Sequence, residues 1–198
     1  WQYPYHKEDD SFTIMFRHLS RSYSFFFFIC CLPLFAQQRW TRNFGGNGYE
    51  CGWAVRQTRD GGYIVAGETD SYGAGLQDCY LVKTDSFGDT IWTKTYGGRW
   101  PDIALDVQQT FDSGYIVLGN MTTDSGDTNQ IYLIKTNTLG ETLWTKLYGG
   151  VCRDYGQSLK QTPDGGYIIA GWTASFGAGG WDVYLVRTDS LGDSLWSR

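Results

Sequence analysis

Carboxylates that recur along this chain of 198 residues are the side chains whose type and spacing suggest acid–base chemistry. One acid follows each of three Gly-Gly pairs, and another stands in each of three later turns. The six positions are Glu50, Asp102, Asp154, Asp60, Asp112 and Asp164. Hydrolysis of a glycoside needs two carboxyl groups about 5 to 9.5 Å apart in unlike environments. Because these acids occupy equivalent turn positions, we expect them to hydrogen-bond their own turns rather than to catalyse.

Histidine chemistry is excluded after residue 36, because both histidines of the chain precede that point. They are His6 and His18. The remaining residues lack the imidazole that Ser-His-Asp and Cys-His catalysis and His-ligated metal sites require. A calcium site at the turn 85–89 is an alternative, but Asn137 and Glu141 replace its acids in the next copy and no ladder of oxygen ligands precedes them. We predict no metal site and no cofactor.

Four tryptophans without counterparts in the repeat described below are the candidates for ligand binding, because folding does not require them in every copy. They are Trp53, Trp100, Trp172 and Trp181. Exposed indole rings stack on sugar rings or anchor a protein partner. The first and third fall in predicted strands, where packing within or between sheets is the alternative. The other two fall in predicted loops, where binding residues concentrate.

A repeat of 52 residues positions all of these side chains. Gly45-Gly46 recurs as Gly97-Gly98 and Gly149-Gly150. Each copy contains four short apolar or alternating segments separated by turn signals, which predicts four antiparallel strands. A unit of this kind is typical of a β-propeller blade, whose two apolar faces are buried by its neighbours. We therefore predict an all-β fold, a β-propeller fragment with four-stranded antiparallel blades.

Nine repeated residues are assigned to folding rather than to function. The glycines are expected to supply a positive φ in a hairpin loop, and the tryptophans to cover the face between two blades. The aspartates are expected to bond the backbone of their turns. These residues are Gly88, Gly140, Gly192, Trp92, Trp144, Trp196, Asp60, Asp112 and Asp164.

The beginning of the chain has the pattern of an export signal. Residues 1–14 show no period, and we expect them to lie upstream of the true start. From Met15 a basic stretch leads into the apolar segment 25–35, followed by the small residue Ala36. This order predicts a secretory signal peptide over 15–36, too short to span a membrane. A buried hydrophobic strand is the alternative.

Four further segments follow the predicted signal peptide. Residues 37–44 align with the last strand of the first copy, which predicts an orphan outer strand that clasps the ring. The predicted blades are 45–96, 97–148 and 149–198, and the last has an incomplete end. Three blades are fewer than the four to eight of a ring, so we expect a fragment with open blade faces.

Three cysteines remain beyond the predicted signal peptide: Cys51, Cys79 and Cys152. The first two are replaced by Ile or Tyr and by Ile or Val in the other copies, which favours packing roles. A disulfide between Cys51 and Cys79 remains an alternative, since exported proteins form such bonds.

The segment 81–92, Leu-Val-Lys-Thr-Asp-Ser-Phe-Gly-Asp-Thr-Ile-Trp, resembles the tryptophan-docking motif of quinoprotein-like (PQQ-like) propellers, although its Asp-to-Gly spacing is one residue shorter. The whole repeat over 38–198 more closely resembles secreted bacterial repeat propellers that often carry a C-terminal sorting domain. This resemblance implies a secreted or cell-surface protein and implies little about activity.

Two functions are consistent with these residues. The first is a non-enzymatic surface propeller that binds polysaccharide or protein, and the alternative is part of a glycoside-active or quinoprotein-like enzyme. We favour binding, because the acids sit at turns and no cofactor ligands are found. The net charge of −5 disfavours nucleic acid and anionic membranes as partners.

Overall fold

The computed structural model describes residues 40–123 and 128–198. Within these residues every regular element is a β-strand, and twelve strands form three antiparallel sheets of four, which confirms the all-β prediction. The predicted signal peptide 15–36, the segment 1–14 before it and residues 37–39 of the predicted clasp strand lie outside the described residues. In the described part of the chain, no helix is long and apolar enough to cross a membrane.

The strands of each sheet pair in chain order, so each sheet is a simple antiparallel meander. Sheet 1 contains β1 (Glu50–Gln57), β2 (Tyr63–Thr69), β3 (Asp78–Thr84) and β4 (Thr90–Tyr96). Sheet 2 contains β5 (Asp102–Gln109), β6 (Tyr115–Thr122), β7 (Asn129–Thr136) and β8 (Thr142–Tyr148). Sheet 3 contains β9 (Asp154–Gln161), β10 (Tyr167–Thr173), β11 (Asp182–Thr188) and β12 (Ser194–Ser197).

A tight turn joins the first two strands of each sheet, and its hydrogen bonds recur in all three copies. In sheet 1 the amide of Thr58 donates to the carbonyl of Gly62 at 2.9 Å. The Thr58 hydroxyl and the Gly62 amide both donate to Oδ1 of Asp60, at 2.5 and 3.0 Å. Gly61 has a φ of 83°, and Ser113 takes the same left-handed conformation in sheet 2. Glycine adopts this conformation without the penalty of a Cβ.

The turn between the third and fourth strands is organised around one side-chain oxygen. Oδ1 of Asp85 accepts hydrogen bonds from the amides of Phe87 and Asp89, at 2.8 and 2.9 Å. Asn137 makes the same pair of bonds through Oδ1 in sheet 2. Because an amide oxygen accepts the same bonds as a carboxylate, asparagine can replace aspartate here without loss of the turn.

The three sheets are stacked side against side, and we name the two sides of each sheet front and rear. The front of sheet 1 presents Ile64, Ala66, Cys79 and Leu81. It packs on the rear of sheet 2, which presents Ala104, Val107, Tyr115, Val117 and Ile134. The front of sheet 2 packs in the same way on the rear of sheet 3. Two apolar cores therefore lie between sheets, and the first strand of a sheet contacts the first three strands of the sheet before it.

A tryptophan on the last strand of sheet 1 and of sheet 2 covers a glycine of the sheet that follows. A Cβ built on Gly140 would lie 2.9 Å from the Trp92 ring, and one on Gly192 would lie equally close to Trp144. The three turn glycines at this position have φ values of 74° to 79°. Both the backbone conformation and the indole ring therefore require a residue without a side chain. The ring of Trp196 has no following sheet among the described residues and is exposed.

Residues 40–44 pack against sheet 1. Their contacts match those that the last strand of sheet 1 makes with sheet 2 and the last strand of sheet 2 makes with sheet 3. The Trp40 ring lies on Gly88 and has its centroid 5.8 Å from that of Tyr63. Arg42 forms an ion pair of 2.9 Å with Asp89. These residues are not part of a strand among the described residues.

The packing of the Trp92 ring on Gly140 predicts that one methyl group added at Gly140 strongly lowers the stability of the protein. Gly140→Ala should lower the free energy of unfolding by about 2 to 4 kcal/mol, because it combines a strained positive φ with displacement of the Trp92 ring. Chemical denaturation followed by tryptophan fluorescence measures this change. The matched control is Gly98→Ala, because a Cβ on Gly98 meets nothing within 4 Å and its φ is not positive. Equal losses of stability in the two variants would contradict the docking account.

Candidate functional site

Two of the four candidate tryptophans come together at one end of sheet 3. Trp172 on β10 and Trp181 just before β11 both contact the ring of Tyr155, a residue of β9. Their ring centroids are 5.5 and 5.9 Å from that of Tyr155. The two tryptophans remain 38% and 55% exposed. We call Tyr155, Trp172 and Trp181 the sheet 3 aromatic cluster.

Strand register and two loops hold this cluster in place. Trp172 is paired with Tyr155 on one neighbouring strand and with Val183 on the other. The Tyr155 hydroxyl donates to Oδ1 of Asn129 at 2.9 Å, which ties the ring to sheet 2. The loop before Trp181 is held by the Ala178 amide, which donates to the Asp182 carboxylate at 3.1 Å. The cluster is therefore a preformed surface built on paired strands.

The cluster continues into an uncovered apolar side. Val183, next to Trp172 in the sheet, is 78% exposed. Its counterparts at the same step in sheets 1 and 2, Cys79 and Ile131, are 0% exposed because the next sheet covers them. The front of sheet 3 has no such cover among the described residues. The front of sheet 3 therefore departs from the pattern of buried sheet sides.

The other two candidate tryptophans lie elsewhere. Trp53 is exposed at an irregularity of β1, where the register with β2 skips from Gly52 to Ala54. Burial raises the pKa of nearby Glu68, and a hydrogen bond with the Trp53 side chain partly offsets this effect. Trp100 is half-buried in the loop between β4 and β5, with the guanidinium of Arg99 5.6 Å from its ring centroid. The four tryptophans therefore do not form one site.

The acids that follow the Gly-Gly pairs bond their own turns. Oδ2 of Asp102 accepts from the Gly98 amide at 2.7 Å, and Asp154 accepts from Gly150 at the same distance. Glu50 makes the equivalent bond with Gly46 at 3.2 Å. These contacts direct each carboxylate to backbone donors rather than outward to a substrate.

The acid in the turn between the first and second strands of each sheet also forms an ion pair. Its basic partner was not identified from the sequence. Lys83 Nζ lies 2.9 Å from Asp60, and Lys135 Nζ lies 2.9 Å from Asp112. Arg187 forms the equivalent pair with Asp164 in sheet 3. The three cations recur at the same step of 52 residues, so the repeat itself carried the signal.

Two acids are enclosed between sheets 1 and 2. Asp78 and Asp102 are almost completely buried, and a Cβ on Gly97 would collide with oxygens of both. Burial raises the pKa of Asp78, and it raises the pKa of Asp102 to about 6. The neighbouring Cys79 thiol also has a raised pKa because of burial. A substrate cannot reach either carboxyl group unless the two sheets separate.

Within the described residues, the cysteines and the acids form neither a disulfide nor a group that could hold a metal ion. Cys51, Cys79 and Cys152 are free thiols, so the alternative of a bridge between the first two is wrong. No group of three or more His, Cys, Asp or Glu side chains that could hold a metal ion occurs in residues 40–123 and 128–198.

A polar groove of about 500 Å³ follows the first strands of the three sheets. Asp106, buried at its floor, accepts from Arg56 Nη2 at 2.8 Å and from the Leu159 amide at 3.0 Å, which joins β1, β5 and β9. Ala54 and Ser158 occupy the same position in the other copies. The criterion that selected the tryptophans, a break in the repeat, therefore also selects Asp106.

Comparison with known protein families gives no matching family model, and comparison with curated proteins gives no significant match.

The ion pair of the first turn predicts a pH dependence of stability. The Thr58 hydroxyl and Lys83 lower the pKa of Asp60 from 3.8 to about 2. A lowered pKa in the folded state adds stability that is present above pH 4 and is lost as the pH falls towards 2. Asp60→Asn should cost about 1 kcal/mol at pH 7, less than the full shift because the side chain is more than half exposed.

Thermal unfolding of the unaltered protein and of Asp60→Asn between pH 7 and pH 2 measures the difference in their stability. This difference should vanish near pH 2. The control is Glu141→Gln, which removes an exposed carboxylate that is in no ion pair among the described residues. If the stability difference between Asp60→Asn and the unaltered protein stays constant with pH, the charge of Asp60 is not involved.

Proposed function

We propose that this chain is part of a secreted, non-enzymatic β-propeller that binds a protein partner through the front of sheet 3. The observation that carries the proposal is the sheet 3 aromatic cluster beside the uncovered Val183. Protein interfaces are built around aromatic anchors in an apolar surface.

The arrangement of the sheets supports the propeller. Three successive four-stranded meanders pack side against side, and the first strand of each contacts the preceding sheet. The contact of Trp92 with Gly140 has the residue types of the tryptophan-docking motif that segment 81–92 resembles. Three sheets are fewer than the four to eight that close a ring. The propeller is therefore proposed from local packing and resemblance together.

Protein is favoured over polysaccharide because of the composition of the surface. The exposed Trp172 and Val183 continue into the half-buried Leu185 and Ile168, with aliphatic rather than polar groups beside the rings. Sugar recognition needs hydrogen-bonding groups around the stacking ring, because each hydroxyl loses its bonds to water on binding. The apolar groups beside the rings suit another apolar surface better.

Polysaccharide remains the second candidate because of one specific feature. Trp181 is more than half exposed in a glycine-rich loop, and with Trp172 it provides two indole rings beside Tyr155. Such rings could stack on neighbouring sugars of an extended chain. The enzyme alternative has no comparable support, because the repeated acids bond to turns and the enclosed pair is inaccessible.

Variants of the aromatic cluster test the binding surface. The chain is immobilised, and surface-protein extract from the cells that produce it is passed over it, while soluble polysaccharides are tested by affinity electrophoresis. Trp172→Ala and Trp181→Ala should each reduce the retained protein at least about tenfold, as expected for anchor residues. Trp53→Ala is the matched control, since this tryptophan is as exposed but lies on sheet 1.

Three results would be decisive. Unchanged protein retention in both sheet 3 variants would remove the front of sheet 3 as the binding surface. Electrophoretic retardation by a polysaccharide that is lost in Trp181→Ala would transfer the function to the second candidate. An equally large loss of retained protein in Trp53→Ala would show that exposed tryptophans bind the extract proteins non-specifically.

Export is a separate part of the proposal. The basic stretch, the apolar segment 25–35 and Ala36 support removal of a signal peptide before Gln37. Mass spectrometry of the protein recovered outside the cells should find Gln37 as its first residue. An exported protein that retains residues 25–35 would contradict the signal peptide, and a protein confined to the cytoplasm would contradict export.

A further inference from the structure

The polar groove along the first strands of the three sheets has a charge opposite to that of the whole chain. Three cations line it, Arg56, Arg59 and Lys160, against the single carboxylate of Asp106. The chain as a whole has a formal net charge of −5. A concave surface lined by one sign of charge concentrates the electrostatic field and attracts ions of the opposite sign. The groove is therefore a positive recess in an acidic chain.

The one acid of the groove is already occupied by donors of the protein itself. Oδ1 of Asp106 accepts from Arg56 Nη2 at 2.8 Å and from the Val107 amide at 2.9 Å. Oδ2 accepts from the Leu159 amide at 3.0 Å and from the Ser158 hydroxyl at 3.4 Å. A carboxylate has about four lone-pair sites, and these bonds use them. Asp106 therefore positions its neighbours and does not repel an incoming anion as a free carboxylate would.

Arg56 is held in place while half of its side chain stays exposed. Nη2 bonds the buried Asp106, and Nη1 donates to the carbonyl of Val55 at 2.9 Å. The side chain of Arg56 is nevertheless 52% exposed. A guanidinium has more N–H donors than these two bonds use, so donors remain for a ligand. An arginine in a fixed orientation suits a carboxylate, which it can bind through two parallel hydrogen bonds.

Gln108 and Lys160 continue across the groove from Arg56. The three residues stand at the same position of successive copies, on β1, β5 and β9, and all three line the groove. Oε1 of Gln108 accepts from the Gln161 amide at 2.8 Å, and its Nε2 group has no acceptor in residues 40–123 and 128–198. Within the same residues Lys160 forms no ion pair. The row therefore offers a guanidinium, an amide and an ammonium group to a ligand.

We infer that this groove binds an acidic peptide segment, whose carboxylates pair with Arg56 and Lys160 and whose backbone carbonyl accepts from Gln108. Its volume of about 500 Å³ is in the range of ligand pockets. None of the described residues that line it is aromatic, so it lacks the rings on which sugars and nucleobases stack. The groove shares no residue with the sheet 3 aromatic cluster, so this inference does not rest on the proposed function.

Titration of a fluorescein-labelled oligoglutamate peptide with the full chain, followed by fluorescence anisotropy, tests this inference. The peptide should bind, and an increase in salt from about 0.05 to about 0.5 M should weaken binding at least about tenfold, because salt screens exposed charges. Lys160→Glu should also weaken binding at least about tenfold, because a repulsion replaces an attraction. An uncharged glycine-serine peptide of the same length should not bind.

The matched control is Arg198→Glu, which makes the same change of charge at an exposed residue outside the groove and should leave binding unchanged. Lys160 is exposed and in no ion pair among the described residues, so its variant should fold, and near-ultraviolet circular dichroism verifies this. Trp172→Ala should also leave peptide binding unchanged, because Trp172 belongs to a different surface.

Every alternative outcome would overturn the inference in a distinct way. A peptide that does not bind at low salt, or that binds Lys160→Glu as well as the unaltered chain, would exclude the site. Equal losses in Lys160→Glu and Arg198→Glu would show that only the net charge matters. Loss of peptide binding in Trp172→Ala would move the peptide to the front of sheet 3. If polygalacturonate binds and oligoglutamate does not, the ligand is an acidic polysaccharide and the peptide is wrong.

Discussion

Every sheet in this chain has two apolar sides, and burial of those sides organises the rest of the structure. A four-stranded meander cannot bury both of its own sides, so the free energy gained by removing them from water comes only from packing on other sheets. Ile64 and Leu81 on the front of sheet 1 are buried in one cluster with Val107 and Val117 of sheet 2. Each copy of the repeat is therefore stabilised mainly by its contacts with the neighbouring sheets.

The polar residues that repeat are used to shape the turns between strands. Asp85 accepts two amide hydrogen bonds within its own turn, and Asp60 accepts from Thr58 and Gly62 while pairing with Lys83. A carboxylate held by backbone donors is well placed to fix a turn and poorly placed to act on a substrate. The carboxylates that suggested acid–base chemistry are therefore part of the scaffold, and the candidate binding surface lies where the repeat is interrupted.

Much of the fold could be predicted from the sequence, because turn signals and strand alternation are local properties. Four strands were predicted for each copy of the repeat, and each of the three sheets has four. The site was less predictable. The tryptophans were selected by their failure to repeat, but no local pattern shows that Trp181 meets Tyr155 while Trp53, on sheet 1, stands apart from them.

The sequence by itself determined the all-β class, the four strands of each unit and the turns that separate them, because hydrophobic alternation and glycine conformation act over a few residues. Only the tertiary structure decided which side chains meet. Asp106 joins three first strands, Tyr155 gathers two tryptophans, and Val183 is left exposed at a position that is buried twice elsewhere. These outcomes depend on which sheet lies against which, and such contacts between distant segments leave no local pattern in the chain.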